Sequence, residues 1–182
     1  MASTEIELVR EWVEQAVLGL GLCPFAGEHW HAGRVRLVVT EATSEDEILD
    51  ALRAEAEILD QADPAVTETT LLIVVNLLRE FGDYNEFLGR VDELGKRLGW
   101  PGHFQIASFH PDYQFAGTRS DDPENLTNRS PYPLLHVLRE STVTRVLADY
   151  PDPDQIPSTN IATLRGLSDE RRQAIFGHYP AN

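Results

Sequence analysis

Over the first 110 residues of the chain, segments with the apolar spacing of amphipathic helices alternate with short apolar runs typical of β-strands. Three segments place apolar residues at the three- and four-residue spacing of amphipathic helices, namely residues 4–20, 44–59 and 83–98. Three shorter runs rich in Val, Ile, Leu and Phe predict β-strands at 35–40, 69–76 and 104–109. The second run is apolar at almost every position, which is typical of a strand covered on both faces. We therefore expect it to lie in the centre of a sheet.

The order strand, helix, strand, helix, strand indicates an α/β fold. Crossovers of this length favour parallel pairing with right-handed connections. We expect one domain over residues 1–182, with a core at about 1–110 that holds a small, mostly parallel three-stranded sheet flanked by helices. The alternative is an α+β arrangement with a ferredoxin-like antiparallel sheet.

The chain loses its periodicity after the third strand. Residues 111–130 form a long loop, and long loops inside compact domains are usually functional or disordered. The aromatic and arginine side chains of this loop favour an ordered segment over the carboxyl edge of the sheet. Ser130 and Pro131 suit the N-cap and first turn of a helix that runs to about Tyr150. The C-terminal part, 131–178, is expected to be helical and to pack on the core.

The charge of the chain limits its partners and its compartment. The 30 acidic and 15 basic residues give a net charge of −15, which repels nucleic acid and anionic lipid, so neither is an expected partner. No stretch approaches the roughly twenty apolar residues that span a bilayer. The acidic N-terminal segment is unlike a signal or transit peptide, and the sole cysteine, Cys23, cannot form an internal disulfide. These features predict a cytoplasmic protein.

Ligands of open parallel sheets bind at the carboxyl ends of the strands, where loops converge. That rule points to Asn76 and to the stretch "SFHPDYQFAG", Ser108 to Gly117. We expect an enzyme site for a small anionic molecule, because guanidinium groups near a helix start can bind a carboxylate or phosphate. The expected substrate-binding residues are Arg129, Tyr132, Arg139 and Asn76, and the expected catalytic residues are His110, Asp112, Tyr113 and Cys23.

A divalent metal such as Fe or Zn is the first hypothesis for the chemistry of this site. His110, Asp112 and His136 can supply two imidazoles and one carboxylate, a set that suits redox or hydrolytic reactions. The alternatives are that Asp112 caps a turn after the strand and that His136 pairs with Glu140 on one face of the predicted helix.

Cys23 provides a second hypothesis, a thiol enzyme. If Pro24 opens a short helix, Cys23 is its N-cap, where the helix dipole lowers a thiol pKa, and His110 or His136 can act as the base. The alternative is a small buried hydrophobic residue. His29 also lies in this region, but it lacks a nearby set of metal ligands and we expect it to have a packing or surface role.

Three phrases of the sequence resemble a bacterial family known as a domain of unknown function, numbered 1415. They are "GLGLCPFA" (Gly19 to Ala26), "FHPDYQFAG" (Phe109 to Gly117) and "NRSPYPLLHVLRE" (Asn128 to Glu140). The resemblance extends over nearly the whole chain and implies a single-domain bacterial protein. It implies no reaction or cofactor, so the metal enzyme, the thiol enzyme and a non-catalytic ligand-binding or interaction module all stay open.

Overall fold

The computed structural model describes residues 4–177. Its strands are β1 (Val35–Thr40), β2 (Thr69–Val74), β3 (Phe104–Phe109) and β4 (Leu134–Arg139). Its α-helices are α1 (Thr4–Trp12), α2 (Ala26–His31), α3 (Glu45–Gln61), α4 (Phe81–Leu98), α5 (Glu140–Asp149), α6 (Ile156–Arg165) and α7 (Asp169–Phe176). A π-helical segment, Val13–Leu18, continues α1, and two short 3₁₀ helices cover Pro123–Asn128 and Pro153–Gln155. None of the helices in this described part combines the length and the apolar character that a membrane crossing needs.

The four strands form one mixed sheet in the order β1-β2-β4-β3. The β1–β2 pair is parallel, whereas the β2–β4 and β4–β3 pairs are antiparallel. The prediction of a three-stranded, mostly parallel sheet was therefore wrong. A wholly antiparallel, ferredoxin-like sheet does not describe it either, because β1 and β2 run in the same direction. Since β4 is antiparallel to both β2 and β3, β3 points the same way as β1 and β2. His110 and Asn76 therefore follow strands that end at the same edge of the sheet.

The largest correction concerns β4, which replaces the first half of the helix predicted from Pro131 to Tyr150. Its residues Leu134, Leu135 and Val137 are completely buried, because an interior strand is covered on both faces. Such a run has no alternation and is hard to distinguish from a buried helix by pattern alone. The helix α5 begins only where β4 ends.

The sheet has a helical layer on each face. On one face, α3 and α4 pack on the side chains of Leu72, Val74, Leu135 and Val137. On the other face, α1, the π-helical segment and α7 pack on Leu71, Ile73 and Leu134. Successive strand residues point to opposite faces. His136 is two positions after Leu134 in β4 and therefore lies on the same face of the sheet, the one that α1 covers.

The loop between β3 and β4 is organised around Asn125, which is completely buried. The side-chain oxygen of Asn125 accepts hydrogen bonds from the Phe115 amide at 3.0 Å and the Thr118 hydroxyl at 2.8 Å. Its side-chain nitrogen donates to the Arg119 carbonyl at 2.6 Å. Three bonds from one side chain thus hold the loop together.

Candidate functional site

His110, the first candidate from the sequence, is completely buried and bonded to backbone at both ring nitrogens. Its Nδ1 accepts a hydrogen bond from the Asp112 amide at 3.0 Å, so the ring proton lies on Nε2, which donates to the Leu78 carbonyl at 2.9 Å. Burial lowers the pKa of His110, in keeping with a neutral ring. With both nitrogens occupied, His110 has the geometry of a structural residue that closes the turn after β3.

His110 also bonds to a strained residue in the segment between β2 and α4. Leu78 has a φ of 59°, in the left-handed region that residues with a side chain rarely adopt. The buried Leu78 side chain packs against α3 and α4, and the imidazole of His110 stacks near Phe81 at 5.4 Å and Tyr84 at 5.1 Å. The hydrogen bond from His110 and this packing together stabilise the strained conformation.

Two other residues of the predicted edge site also bond to backbone. Arg129 donates from Nε to the Tyr113 carbonyl at 3.2 Å and from its terminal nitrogen to the Ser120 carbonyl at 2.7 Å. Burial lowers the pKa of Arg129. Asn76 is exposed and donates to the Glu41 carbonyl at 3.0 Å. The guanidinium of Arg129 therefore holds the loop rather than projecting into a pocket.

The remaining residues of the predicted edge site are scattered over its surroundings. Asp112 is exposed, while Tyr113 is partly buried with its ring 5.1 Å from that of Phe81. Tyr132 is partly buried and packs against the α1 face of the sheet, where burial raises its pKa.

Arg139 lies at the far end of β4, away from this edge. Its guanidinium donates to the carbonyl groups of Leu59 and Ala62, the latter at 3.1 Å, at the C-terminal end of α3. Cationic side chains commonly satisfy the free carbonyls of a helix C-terminus. The helix predicted to hold Arg139 is a strand at this position, because Arg139 belongs to β4.

The three predicted metal ligands do not come together. His110 stacks against Tyr84 of α4, whereas the ring of His136 lies 6.4 Å from that of Phe109 on the opposite face of the sheet. Within the described residues, no group of three or more His, Cys, Asp or Glu side chains is placed to hold a metal ion. The proposed pairing of His136 with Glu140 also fails, since it assumed a helix.

The structure instead has a cavity of about 300 Å³ on the α1 face of the sheet, which we call the sheet-face cavity. It lies beneath the π-helical segment, α2 and α5. Most of its walls are apolar, and they include Trp12, Val13, Val17, Phe25, Trp30, Leu71, Phe109 and Leu138. Ala107 lies directly opposite His136 on β3, and its small side chain leaves room beside the imidazole.

Nine polar side chains line this mainly apolar cavity, and four of them are Thr127, Asn128, Arg139 and Thr142. The other five are Cys23, His29, Glu68, Thr69 and His136, which we call the polar cluster. Of the residues predicted from the sequence, the cavity lining includes Cys23, His136 and Arg139, whereas His110, Asp112 and Arg129 lie outside it. Sequence analysis gave His29 no site role and overlooked Glu68 and Thr69. An acidic residue immediately before a strand that is apolar at almost every position was the available signal for Glu68.

The hydrogen bonds of Thr69 fix the protonation of His136. The Thr69 hydroxyl donates its single hydrogen to the Val137 carbonyl at 2.6 Å, and it also lies 2.7 Å from Nε2 of His136. Because the hydroxyl hydrogen is already used, Nε2 must carry a proton and donate it to Thr69. Burial lowers the pKa of His136 to about 4, so Nδ1 is unprotonated at neutral pH, and it has no partner within the described residues.

His29 and Glu68 bury polar atoms without protein partners. Each residue is only 4% exposed, and both ring nitrogens of His29 and Oε1 of Glu68 have no hydrogen-bond partner in the described part of the protein. Burial lowers the pKa of His29, and the negative charge of Glu68 partly offsets that effect. Unsatisfied buried polar groups are rare in folded proteins, and they indicate a bound molecule, water or a functional constraint.

Cys23 lies between the π-helical segment and α2. The helix α2 begins at Ala26 with Phe25 as its N-cap, so the prediction that Cys23 is an N-cap was wrong. Burial raises the pKa of the Cys23 thiol, although the amides of Phe25 and Ala26 bond to the sulfur and partly lower it. The thiol is therefore protonated at neutral pH.

Comparison with known proteins gives the chain a family. The model of a family described as a protein of unknown function, DUF1415, matches residues 4–174. The chain belongs to this family. The matched region includes every residue of the polar cluster of this DUF1415 protein. No curated protein and no solved structure gave a match.

The chemical capacity of the DUF1415 cavity follows from these charge states. Neutral Cys23 and neutral His136 both lie in mainly apolar surroundings, where burial disfavours their charged forms. The walls can hold an apolar molecule, while Nδ1 of His136 can accept a hydrogen bond or a proton from it. The site is thus suited mainly to binding a ligand. It can take part in proton transfer only if the ligand is acidic enough to protonate the weakly basic imidazole of His136.

Proposed function

We propose that the protein binds a small, mainly apolar molecule in the sheet-face cavity. The main observation in support is that His29 and Glu68 line the cavity, because each has buried polar atoms without a protein hydrogen-bond partner. Leaving such a group unsatisfied costs about 1 to 3 kcal/mol, a cost that a bound polar group removes. The cavity size and its few polar groups in apolar walls also agree with small-molecule sites in general.

The proposal differs from the expectation of an anionic ligand. That expectation depended on Arg129 and Arg139, and both guanidinium groups already donate to backbone carbonyls. Glu68 is an acidic residue of the cavity lining and disfavours an anion, while Arg139 of the same lining directs its terminal guanidinium nitrogen to the end of α3. We therefore propose an uncharged or cationic ligand, with most of its surface apolar.

Filling the cavity tests the proposal directly. Ala107→Leu adds three carbon atoms beside His136, whereas Ala54→Leu makes the same change on the exposed surface of α3. Ligand-observed NMR with a set of small aromatic fragments should show binding to the wild type and to Ala54→Leu, with at least ten-fold weaker binding to Ala107→Leu. Absence of binding to the wild type, or equal binding to Ala107→Leu, contradicts the proposal.

A thiol enzyme is a second candidate, because Cys23 and His136 line the same cavity. In this version the thiol proton passes to Nδ1 of His136, and the sulfur adds to a carbonyl carbon of the substrate. The π electron pair of the C=O bond moves to its oxygen, which then takes the proton from the imidazolium. The raised pKa of the thiol means that substrate binding must promote this transfer. A metal-dependent version is not carried forward, because His110 and His136 lie on different faces of the sheet and Asp112 is exposed in the loop after β3.

Alkylation across pH tests the thiol candidate. A nucleophilic Cys23 should react with iodoacetamide well below pH 8.5, about the pKa of an ordinary thiol, at least when an apolar fragment is bound. Cys23→Ser should then remove the covalent adduct while leaving fragment binding unchanged. Resistance to the reagent with and without fragment, until the protein unfolds, would refute the thiol mechanism and leave the binding function intact.

A further inference from the structure

We infer that the ligand presents a hydrogen-bond donor, a hydroxyl or an N–H group, to Nδ1 of His136. The inference rests on the proposed binding function and adds the chemical class of the ligand. It depends on the direction of each hydrogen bond around the imidazole.

The direction of these bonds follows from donor counting. A backbone carbonyl can only accept, so the bond between Thr69 and Val137 uses the single hydrogen of the Thr69 hydroxyl. The same hydroxyl oxygen can then only accept from His136. Nε2 is thereby the protonated nitrogen, and the second nitrogen of a neutral imidazole is an acceptor.

The position of this acceptor makes it available to a ligand. Leu71 and Ala107 are the residues opposite His136 on the two neighbouring strands, and neither can offer it a side-chain hydrogen bond. Trp12 and Phe109, whose rings pack edge to face at 5.3 Å, add an aromatic wall to the same cavity. A flat apolar molecule with one donor group matches these surroundings.

Glu68 strengthens the preference for a donor. An ionised carboxylate only accepts hydrogen bonds, and Oε1 of Glu68 has no partner within the described residues. Nδ1 of His136 and the Glu68 carboxylate are thus both acceptors in this cavity, whose lining also includes the unpartnered N–H groups of His29 and of Nε of Arg139. A ligand carboxylate or an ether oxygen would meet a lone pair at the imidazole and, for the carboxylate, a second negative charge.

Three compounds with the same ring system separate these cases: naphthol offers a hydroxyl donor, methoxynaphthalene offers only an acceptor, and naphthoate carries a negative charge. Isothermal titration calorimetry of the full-length protein should give a Kd for naphthol at least ten-fold lower than for either of the others. Failure of all three to bind would overturn the proposed function together with this inference. Equal or tighter binding of the ether or the carboxylate would overturn the inference alone.

Two variants assign the preference to His136. His136→Phe keeps a ring at this position but removes the acceptor, so the ratio of the two Kd values for naphthol and its ether should fall towards one. His103→Phe makes the same change at an exposed position and should keep the ten-fold ratio. Thr69→Val is a second route, because it frees Nε2 and allows either tautomer, which should also reduce the ratio. A ratio unchanged in both cavity variants would overturn the inference.

The protonation of the ring can also be measured without a ligand. A long-range proton–nitrogen NMR correlation, assigned by its loss in His136→Phe, should show the proton of His136 on Nε2. A proton on Nδ1 would overturn the inference even if naphthol binds, and would leave the proposed binding function unaffected.

Discussion

Replacing His110 by Phe tests whether this residue stabilises the fold, as its hydrogen bonds indicate, or belongs to a reaction site. Phenylalanine keeps an aromatic ring beside Phe81 and Tyr84, which lie 5.4 and 5.1 Å from the imidazole. It removes the hydrogen bonds to the Leu78 carbonyl and the Asp112 amide. The substitution therefore isolates the polar contribution of a completely buried histidine.

The expected loss can be worked out from the two bonds. The Leu78 carbonyl bond is buried, and leaving such a group unsatisfied costs about 1 to 3 kcal/mol. Asp112 is exposed, so its amide can bond to water, and loss of that bond costs about 0.5 to 1.5 kcal/mol. We expect His110→Phe to lower the free energy of unfolding by about 2 to 4 kcal/mol, with part of this loss arising at the strained Leu78.

Urea denaturation followed by circular dichroism measures this change. The transition midpoint should fall while the slope with denaturant stays the same, which indicates a change in stability alone. His103→Phe is the matched control, because His103 is exposed, and it should change stability by less than about 0.5 kcal/mol. A His110→Phe variant as stable as the wild type that no longer binds ligand would refute the structural role and favour a functional one.

Three further predictions concern protonation, a helix end and the long loop. The pKa of His136 is about 4 in the folded protein, against 6.5 for an ordinary histidine. Between these two pH values the unfolded chain binds a proton that the folded protein does not. The free energy of unfolding should therefore fall by up to about 3 kcal/mol as the pH drops from 6.5 to 4. Thermal melts across pH should show a weaker dependence for His136→Phe; equal slopes would contradict the assignment. Arg139→Met should cost about 1 to 2 kcal/mol in urea unfolding, through the lost bonds to the end of α3, and an unchanged transition midpoint would contradict this role. Asn125→Leu should accelerate amide exchange across residues 111–130, and unchanged protection there would show that its three hydrogen bonds are not needed.

The elements that the sequence predicted well are those set by local patterns. The strands at 35–40 and 104–109 have the expected bounds, and the central run ends at Val74 rather than Asn76. The helix α4 ends at Gly99, which adopts a left-handed φ of 72°, as a helix-stopping glycine does. Periodicity, capping residues and turn residues act over a few neighbouring positions. A short segment of the sequence is therefore enough to predict where a helix or a strand begins and ends.

The candidate site was harder to predict, because its residues come from distant segments. His136 was recognised as a candidate but was assigned to a helix, and the role of its Nδ1 depends on Thr69, which lies 67 positions earlier in the chain. The closely spaced His110 and Asp112, predicted as metal ligands, instead form a local hydrogen bond that closes the turn after β3. A sequence motif shows that polar groups are near one another along the chain, but it does not show whether backbone groups already occupy them.

The sequence by itself determined the three long helical segments and the three strands of the first 110 residues, but neither the π-helical turns after α1 nor the bounds of α2. It also determined the single cysteine and the strongly acidic charge. Only the tertiary structure decided that β4 enters between β2 and β3, since an apolar run becomes an interior strand through pairing with partners far away along the chain. That insertion places His136 opposite Leu71 and Ala107 and opens the sheet-face cavity above them. Burial and hydrogen-bond direction, which give the cavity its chemistry, exist only once those strands have paired.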